Sequence, residues 1–283
     1  MMACAPRAWH FCSKEKMMNN GNGLGNLDDL FQSVQDDGLG DDTMDLLVAN
    51  LHGPTMATAV GTPLDQLASA DVTLAMNIID MSGSMYPHAK GLMRAYNDDY
   101  LTAMSASPAA DDILVSTILF NDAVRPLHGY VPLEDAVRLT NQTYDPDYTT
   151  ALYDAVAGGM TNMVLYAQQL RQSGVSVQCI VMVYSDGEDN TSSQRAADVK
   201  RAAEDLLKQE MYTLVFVGFG LKKQIGFKGT NGRSPAQQIA DSIGFPIALD
   251  AGLSPAELSR IFRMASMSAV QVSQQGAAVG LFV

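Results

Sequence analysis

From residue 71 onward, the chain alternates short apolar segments with segments of helical periodicity. The apolar segments read VTLAMNIID, ILVSTILF, HGYVPL, VQCIVMVYS, YTLVFVGFG and FPIALD. Most of them are apolar without alternation, which is typical of strands buried on both faces of a sheet. The intervening segments are amphipathic, and one carries an apolar stripe made of Ala196, Val199, Ala203, Leu206 and Leu207. This alternation predicts an α/β fold in which helices cover both faces of a doubly wound, mostly parallel sheet.

One pair of predicted strands departs from the parallel pattern. Only the short segment NDAVRPL separates ILVSTILF from HGYVPL. A parallel pair needs a crossover connection of about a dozen residues or more. We therefore expect these two strands to form an antiparallel hairpin, which gives the sheet one antiparallel edge strand.

Two helix starts carry complete capping signals. In LSPAELSR, Ser254 is placed to cap a helix, Pro255 takes the first helical position and Glu257 closes a capping box. The segment SPAQQIADSIG repeats the arrangement from Ser234 and ends at Gly244. Helices are therefore predicted to begin directly after these two serines.

The composition changes near residue 70. The segment before it is rich in Gly, Asp and Asn and lacks sustained periodicity, apart from short helical candidates such as TMDLLVANL. We interpret residues 1–69 as a flexible, largely disordered leader, residues 70–272 as the folded domain and residues 273–283 as a C-terminal tail.

The net charge of −13 narrows the classes of partner. A chain with 31 acids and 18 bases has no surplus of positive charge with which to release counterions from nucleic acid or to dock on anionic lipid. The sequence contains no run of eighteen apolar residues and no uninterrupted apolar segment of a secretory signal. These features predict a cytoplasmic protein that binds neither nucleic acid nor membrane.

The three cysteines indicate a reduced, intracellular chain rather than a disulfide framework. Cys179 lies in an apolar strand segment and is predicted to be a small buried hydrophobe. Cys4 and Cys12 flank His10, and a zinc site there is conceivable, but a fourth ligand is missing and the spacing is loose.

Hydroxyl and carboxylate side chains follow the predicted strands at the edge where such sheets bind ligands. Asp80, Ser82 and Ser84 come after the first strand, and Asp186 ends the strand VQCIVMVYS, with Gly187 allowing a sharp turn. Thr150 stands just before a helix in YTTALYDAV. The fold is expected to bring these three loops together.

Oxygen ligands of this kind suit a hard divalent cation: Mg²⁺, Ca²⁺ or Mn²⁺. Three alcohols and two carboxylates neutralise such an ion less than a cage of carboxylates does. An open coordination position should therefore favour an anionic oxygen from outside. An aspartate or glutamate of a partner protein is the obvious donor.

The segments DMSGS, TALYDA and VYSDGEDN resemble the three parts of the metal-ion-dependent adhesion site of the von Willebrand factor type A (VWA) domain. The resemblance implies a Rossmann-like sheet of six strands and a metal site made of Asp80, Ser82, Ser84, Thr150 and Asp186. In that family the hydroxyls ligate the metal, and the aspartates often act through metal-bound water and hydrogen bonds to the serines. One departure concerns Tyr148-Thr149, where the family usually has a glycine pair before the threonine.

Two functions from different classes follow. The first is a non-catalytic, metal-dependent protein–protein interaction module, an adaptor or subunit whose partner presents an Asp or Glu. The resemblance implies contexts such as assemblies with AAA+ ATPases of the MoxR type. The alternative is a Mg²⁺-dependent phosphotransferase or hydrolase that uses Asp80; such enzymes usually need a second acid two residues later, where this chain has Ser82. A metal that serves folding alone is a third possibility.

Overall fold

Six strands form a single mixed sheet in the computed structural model, which describes residues 27–51, 61–187, 189–221 and 233–275. The spatial order is β3-β2-β1-β4-β5-β6; all neighbours are parallel except β2 and β3, which are antiparallel. The predicted fold class, including the antiparallel edge strand, is confirmed. The strands are β1 (Asp71–Asp80), β2 (Ile113–Phe120), β3 (Val124–Pro132), β4 (Ser176–Ser185), β5 (Tyr212–Phe219) and β6 (Ile247–Ala251).

Helices cover both faces of this sheet. The helix α3 follows a 3-10 turn at Gly83–His88 and contains a π-helical stretch, Ala95–Thr102, between α-helical ends at Ala89–Arg94 and Ala103–Ser105. The other helices are α1 (Leu27–Asp36), α2 (Asp41–Ala49), α4 (Leu152–Gln172), α5 (Ala196–Leu207), α6 (Pro235–Ser242) and α7 (Pro255–Gln275). None of the helices in the described ranges is long and apolar enough to cross a membrane.

Two apolar cores lie on opposite faces of the sheet. Alternate residues of β1 enter different cores: Ile78 belongs to the core that α4, α5 and α6 cover, whereas Ile79 belongs to the core that α3 and α7 cover. This two-sided burial explains why β1, β2, β4 and β5 read as nearly continuous apolar segments. Cys179 of β4 is fully buried in the first core, as predicted.

Both predicted capping arrangements are confirmed. The Ser254 hydroxyl accepts the N–H of Glu257 at 3.3 Å and donates to its carboxylate at 2.6 Å. The Ser234 hydroxyl accepts the N–H of Gln237 at 3.2 Å, and Gly244 follows α6 with a φ of +77°. Helices α7 and α6 therefore begin where the sequence places their caps.

Residues 27–51 differ from the expectation of a flexible leader. The helices α1 and α2 pack on α4 and α5, and they bury Leu30 and Leu47 to 2% and 1% exposure. The Asp205 carboxylate of α5 accepts the Thr43 hydroxyl at 2.5 Å and the Gly40 N–H at 3.2 Å. The apolar residues of this segment pack against α4 and α5. The high Gly and Asp content of the segment hides their pattern in the sequence. Residues 1–26, 52–60 and 276–283, with Cys4, His10 and Cys12, lie outside the described residues.

Candidate metal centre

The first loop of the candidate site turns at Asp80, the last residue of β1. Its carboxylate is fully buried, and Asp80 Oδ1 accepts the N–H of Ser82 at 2.8 Å. This hydrogen bond turns the chain back, and it places the hydroxyls of Ser82 and Ser84 3.0 Å apart. Ser82 is buried and Ser84 is exposed, so the pair reaches from the interior to the surface.

Ser185 holds the other oxygen of the same carboxylate. This last residue of β4 is fully buried, and its hydroxyl donates to Asp80 Oδ2 at 2.6 Å and accepts the N–H of Gly187 at 3.0 Å. Sequence reasoning missed Ser185. The signal in the sequence is a hydroxyl at the end of an otherwise apolar strand. Its contact with Asp80 follows from the pairing of β4 with β1, in which Ile79 lies opposite Tyr184.

The second loop, residues 145–151, joins the first through the backbone. The N–H of Asp147 donates to the carbonyl of Met81 and the N–H of Gly83 donates to the carbonyl of Tyr148, both at 3.1 Å. Tyr148 has a φ of +67° and is the one non-glycine residue with positive φ in the described part of the chain. The backbone here therefore adopts a conformation that favours glycine, although the sequence provides a tyrosine.

The third loop, which follows β4, contacts the second at Thr150. The Thr150 N–H donates to Asn190 Oδ1 at 2.8 Å, and the Asn190 N–H donates to the Thr150 carbonyl at 3.0 Å. Gly187 has a φ of +83°, the sharp turn that its position predicts. Asn190 was not predicted as a support of the site; an amide at the end of SDGEDN is the signal that marks it.

The structure therefore brings the three predicted loops together. Asp80, Ser82, Thr150 and Asp186 are all at most 6% exposed, whereas Ser84 is open to solvent. Among the described residues, no group of three or more His, Cys, Asp or Glu side chains is placed to hold a metal. A metal at this edge would accordingly depend on hydroxyl ligands, and the assignment of the individual ligands stays a prediction.

The electrostatics of the site suit a cation. Burial, and secondarily the charge of Asp186, raise the pKa of Asp80 to about 6, while hydrogen bonds from Ser185 and Ser82 act in the opposite direction. The Tyr144 hydroxyl donates to the Asp80 carbonyl at 2.7 Å, and burial raises the pKa of that phenol well above its usual value. A divalent cation held at this site would offset the repulsion between the two carboxylates, so the donor set fits a hard metal ion.

No protein-family model and no curated protein match the sequence. Among solved structures, the open conformation of the pilus adhesin SpaC from Lactobacillus rhamnosus GG is 11% identical, with a TM-score of 0.50 over 73% of this chain and 31% of that chain. The PilB minor pilin from Streptococcus sanguinis is 13% identical, with a TM-score of 0.46 over 75% and 64%. The vWF domain of the type V pili tip protein Mfa5 from Porphyromonas gingivalis is 10% identical, with a TM-score of 0.47 over 75% and 99%.

These likenesses concern the fold alone. The chain spans less than two thirds of the PilB and SpaC chains, 64% and 31% respectively. The likeness to SpaC agrees with the α/β architecture described above, and the two TM-scores below 0.5 add nothing to the case for the site. What the loops bind must be argued from their own contacts.

Proposed function

We propose that this chain is a VWA-like protein-interaction module that binds a divalent cation at the loop cluster and, through the cation, a carboxylate of a partner protein. Asp80, Ser82, Ser84, Thr150 and Asp186 are the proposed metal-site residues. The observation that carries the proposal is the direct hydrogen bonding among the three loops, from Gly83 to Tyr148 and from Thr150 to Asn190.

Charge balance supports an external carboxylate. The proposed site offers two carboxylates, fewer than an all-carboxylate cage, and its neutral hydroxyls fill further positions without adding negative charge, so the ion keeps an attraction for an anionic oxygen. Ser84 lies at the exposed end of the hydroxyl pair, so an ion held there would be open to a ligand from solvent. An anionic oxygen binds such an ion more strongly than water does.

The enzymatic alternative has less support from the residues around Asp80. A phosphotransferase that uses this carboxylate as its nucleophile needs a nearby group to move a proton. Two residues later stands Ser82, whose N–H and hydroxyl are both engaged within the loop. A binding module is therefore the better-supported function.

Several finer features of the proposal come from the sequence and the family resemblance. Mg²⁺ is the expected ion, with Ca²⁺ or Mn²⁺ as alternatives, because the ligands are hard oxygens. A cytoplasmic location and a partner within an AAA+ ATPase assembly of the MoxR type stay predictions.

The decisive experiment compares two serine pairs with the same spacing. Ser82→Ala with Ser84→Ala removes the hydroxyl pair of the site, whereas Ser266→Ala with Ser268→Ala removes two hydroxyls that donate to backbone carbonyls within α7. Calorimetric titration with Mg²⁺, Ca²⁺ and Mn²⁺ should show binding to the wild type and the α7 variant, and none to the site variant.

Partner binding is measured next with an aspartate-containing peptide as the probe. The peptide should bind the metal-loaded wild type and be released by EDTA. If the wild type binds no divalent ion at millimolar concentration, or if the site variant binds as tightly as the wild type, the proposal is wrong.

A further inference from the structure

A line of three exposed side chains leads away from the candidate metal site. Ser84 and Pro87 lie in the 3-10 segment Gly83–His88, and Lys90 follows in the first turn of the helix Ala89–Arg94. Side chains three residues apart nearly eclipse in a 3-10 helix, and they lie on neighbouring positions of one face in an α-helix. Ser84, Pro87 and Lys90 therefore share one face, and all three are exposed.

A surface groove runs along this face. Pro87 and Lys90 line it together with Tyr86, Tyr144 and Pro146, and its volume is about 500 Å³. Tyr86 is 69% exposed, and Tyr144 reaches from the groove to the carbonyl of Asp80 at 2.7 Å. The groove therefore lies next to the first loop of the candidate site, and tyrosine and proline rings form part of its walls.

Lys90 provides the positive charge that lines this groove, and Asp145 provides the negative one. The two form no ion pair with each other, and no ion pair among the described residues includes Lys90. By contrast, Arg94, one helical turn further on, lies 3.9 Å from Asp98. The chain has a net charge of −13, so a lysine near a site for carboxylates is an uncommon positive charge on this surface. It could attract a second acidic side chain of the partner.

We propose that the partner segment carries two acids about three residues apart: one binds the metal and the other pairs with Lys90. This inference rests on the proposed function and names the chemistry of its partner. Rises of about 2.0 Å per residue in the 3-10 segment and about 1.5 Å in the helix place Lys90 about 11 Å from Ser84 along the axis. An extended peptide covers this distance in about three residues, at about 3.3 Å each.

The residues between the two acids lie over Tyr86 and Pro87. An extended segment with proline or small apolar side chains at these positions fits a groove walled by tyrosine and proline rings. The partner is therefore an exposed, extended segment of the type acid–apolar–apolar–acid rather than a helix face.

The test uses two capped peptides and the 283-residue chain saturated with Mg²⁺. The sequences are Gly-Asp-Ala-Pro-Glu-Gly and Gly-Asp-Ala-Pro-Gln-Gly, which differ only in the second acid. An exposed ion pair should make the first peptide bind about two- to five-fold more tightly at low salt, as measured by NMR titration. The advantage should shrink as salt is added.

Lys90→Gln should abolish this advantage, and Lys90→Arg should retain it. Lys200→Gln removes the same charge from the surface of α5 and should change nothing. Magnesium titration of Lys90→Gln should match the wild type, because Lys90 is not a metal-site residue.

The outcomes separate this inference from the proposed function. Equal affinities of the two peptides for the wild type, or an advantage that persists in Lys90→Gln, overturn the two-acid partner while the metal site stands. If neither peptide binds the metal-loaded protein, the two-acid partner and the carboxylate step of the proposed function both fail.

Discussion

Ser185→Ala tests whether metal binding at the proposed site depends on a residue outside the predicted ligand set. The Ser185 hydroxyl donates to Asp80 Oδ2 at 2.6 Å and accepts the N–H of Gly187 at 3.0 Å, in a fully buried position. It therefore fixes one carboxylate oxygen against the turn that carries Asp186. Alanine removes both hydrogen bonds and adds no new contact.

The size of the effect follows from the charge of the acceptor. A hydrogen bond to a charged group contributes about 1.5–3 kcal/mol, and about 1.4 kcal/mol is a tenfold change in an equilibrium constant. Without the Ser185 donor, the pKa of Asp80 should rise beyond its present value of about 6, so a proton competes more strongly with the metal. Both effects weaken binding, and the Kd for Mg²⁺ should rise about 10- to 100-fold.

The assay is calorimetric titration of Mg²⁺ at pH 7.5 into the wild type, Ser185→Ala and a matched control. Ser116→Ala is that control, because Ser116 is also a buried strand serine and donates to the carbonyl of His128 at 3.1 Å, away from the site. The control should lose stability without losing metal affinity. A Kd for Ser185→Ala within twofold of the wild-type value would refute the role assigned to this hydroxyl.

Four further predictions use stability as the readout. Gly187→Ala should lower the free energy of unfolding, measured with urea, by about 2–4 kcal/mol, because φ is +83° and the new Cβ would lie 2.1 Å from the Ile239 methyl. Gly174→Ala has a similar φ of +85° but open space around the new Cβ, so it should lower the free energy of unfolding by only about 1 kcal/mol. Leu47→Ala should cost about 2–5 kcal/mol and Val48→Ala close to nothing, since the two are 1% and 48% exposed; equal costs would contradict the packing of α2. Burial lowers the pKa of His128, so this imidazole binds a proton more readily in the unfolded chain than in the folded one. The free energy of unfolding should therefore fall as the pH drops below about 6.5, and His128→Gln should flatten this pH dependence. EDTA should lower the melting temperature because it removes the stabilisation by bound metal, which is about 2.7 kcal/mol of unfolding free energy at a metal concentration of 100 Kd. Complete unfolding in EDTA would instead favour a metal that serves folding alone.

The strands and the loop residues were accessible from the sequence because their signals are local. A continuous apolar segment that ends in Asp80 indicates a buried strand followed by a turn. Because the carboxyl ends of parallel strands lie at the same edge of a sheet, Asp186 at the end of another strand is expected at that edge too. The capping signals of Ser234 and Ser254 are equally local. These features depend on neighbours within a few residues, so the pattern along the chain contains them.

The supports of the site were not accessible in the same way. Ser185 contacts Asp80 only because β4 lies beside β1, and Asn190 caps Thr150 from a different loop. Tyr148 adopts a conformation that its own residue type disfavours, because the backbone bond to Gly83 holds it there. Such contacts are set by topology, which a single sequence does not specify residue by residue.

In the proposed site, different residues would hold the loops together and select the partner. Backbone and amide hydrogen bonds, such as those at Gly83 and Thr150, hold the loops to one another, and the exposed Ser84 hydroxyl takes no part in these bonds between loops. A cation at the proposed site would attract any carboxylate and would therefore discriminate little between partners. Selection must come from side chains that the fold does not need, and Tyr86 and Lys90 are of this kind because they are exposed beside the site. Substitutions there should change which partner binds while leaving the fold and the metal affinity unaltered.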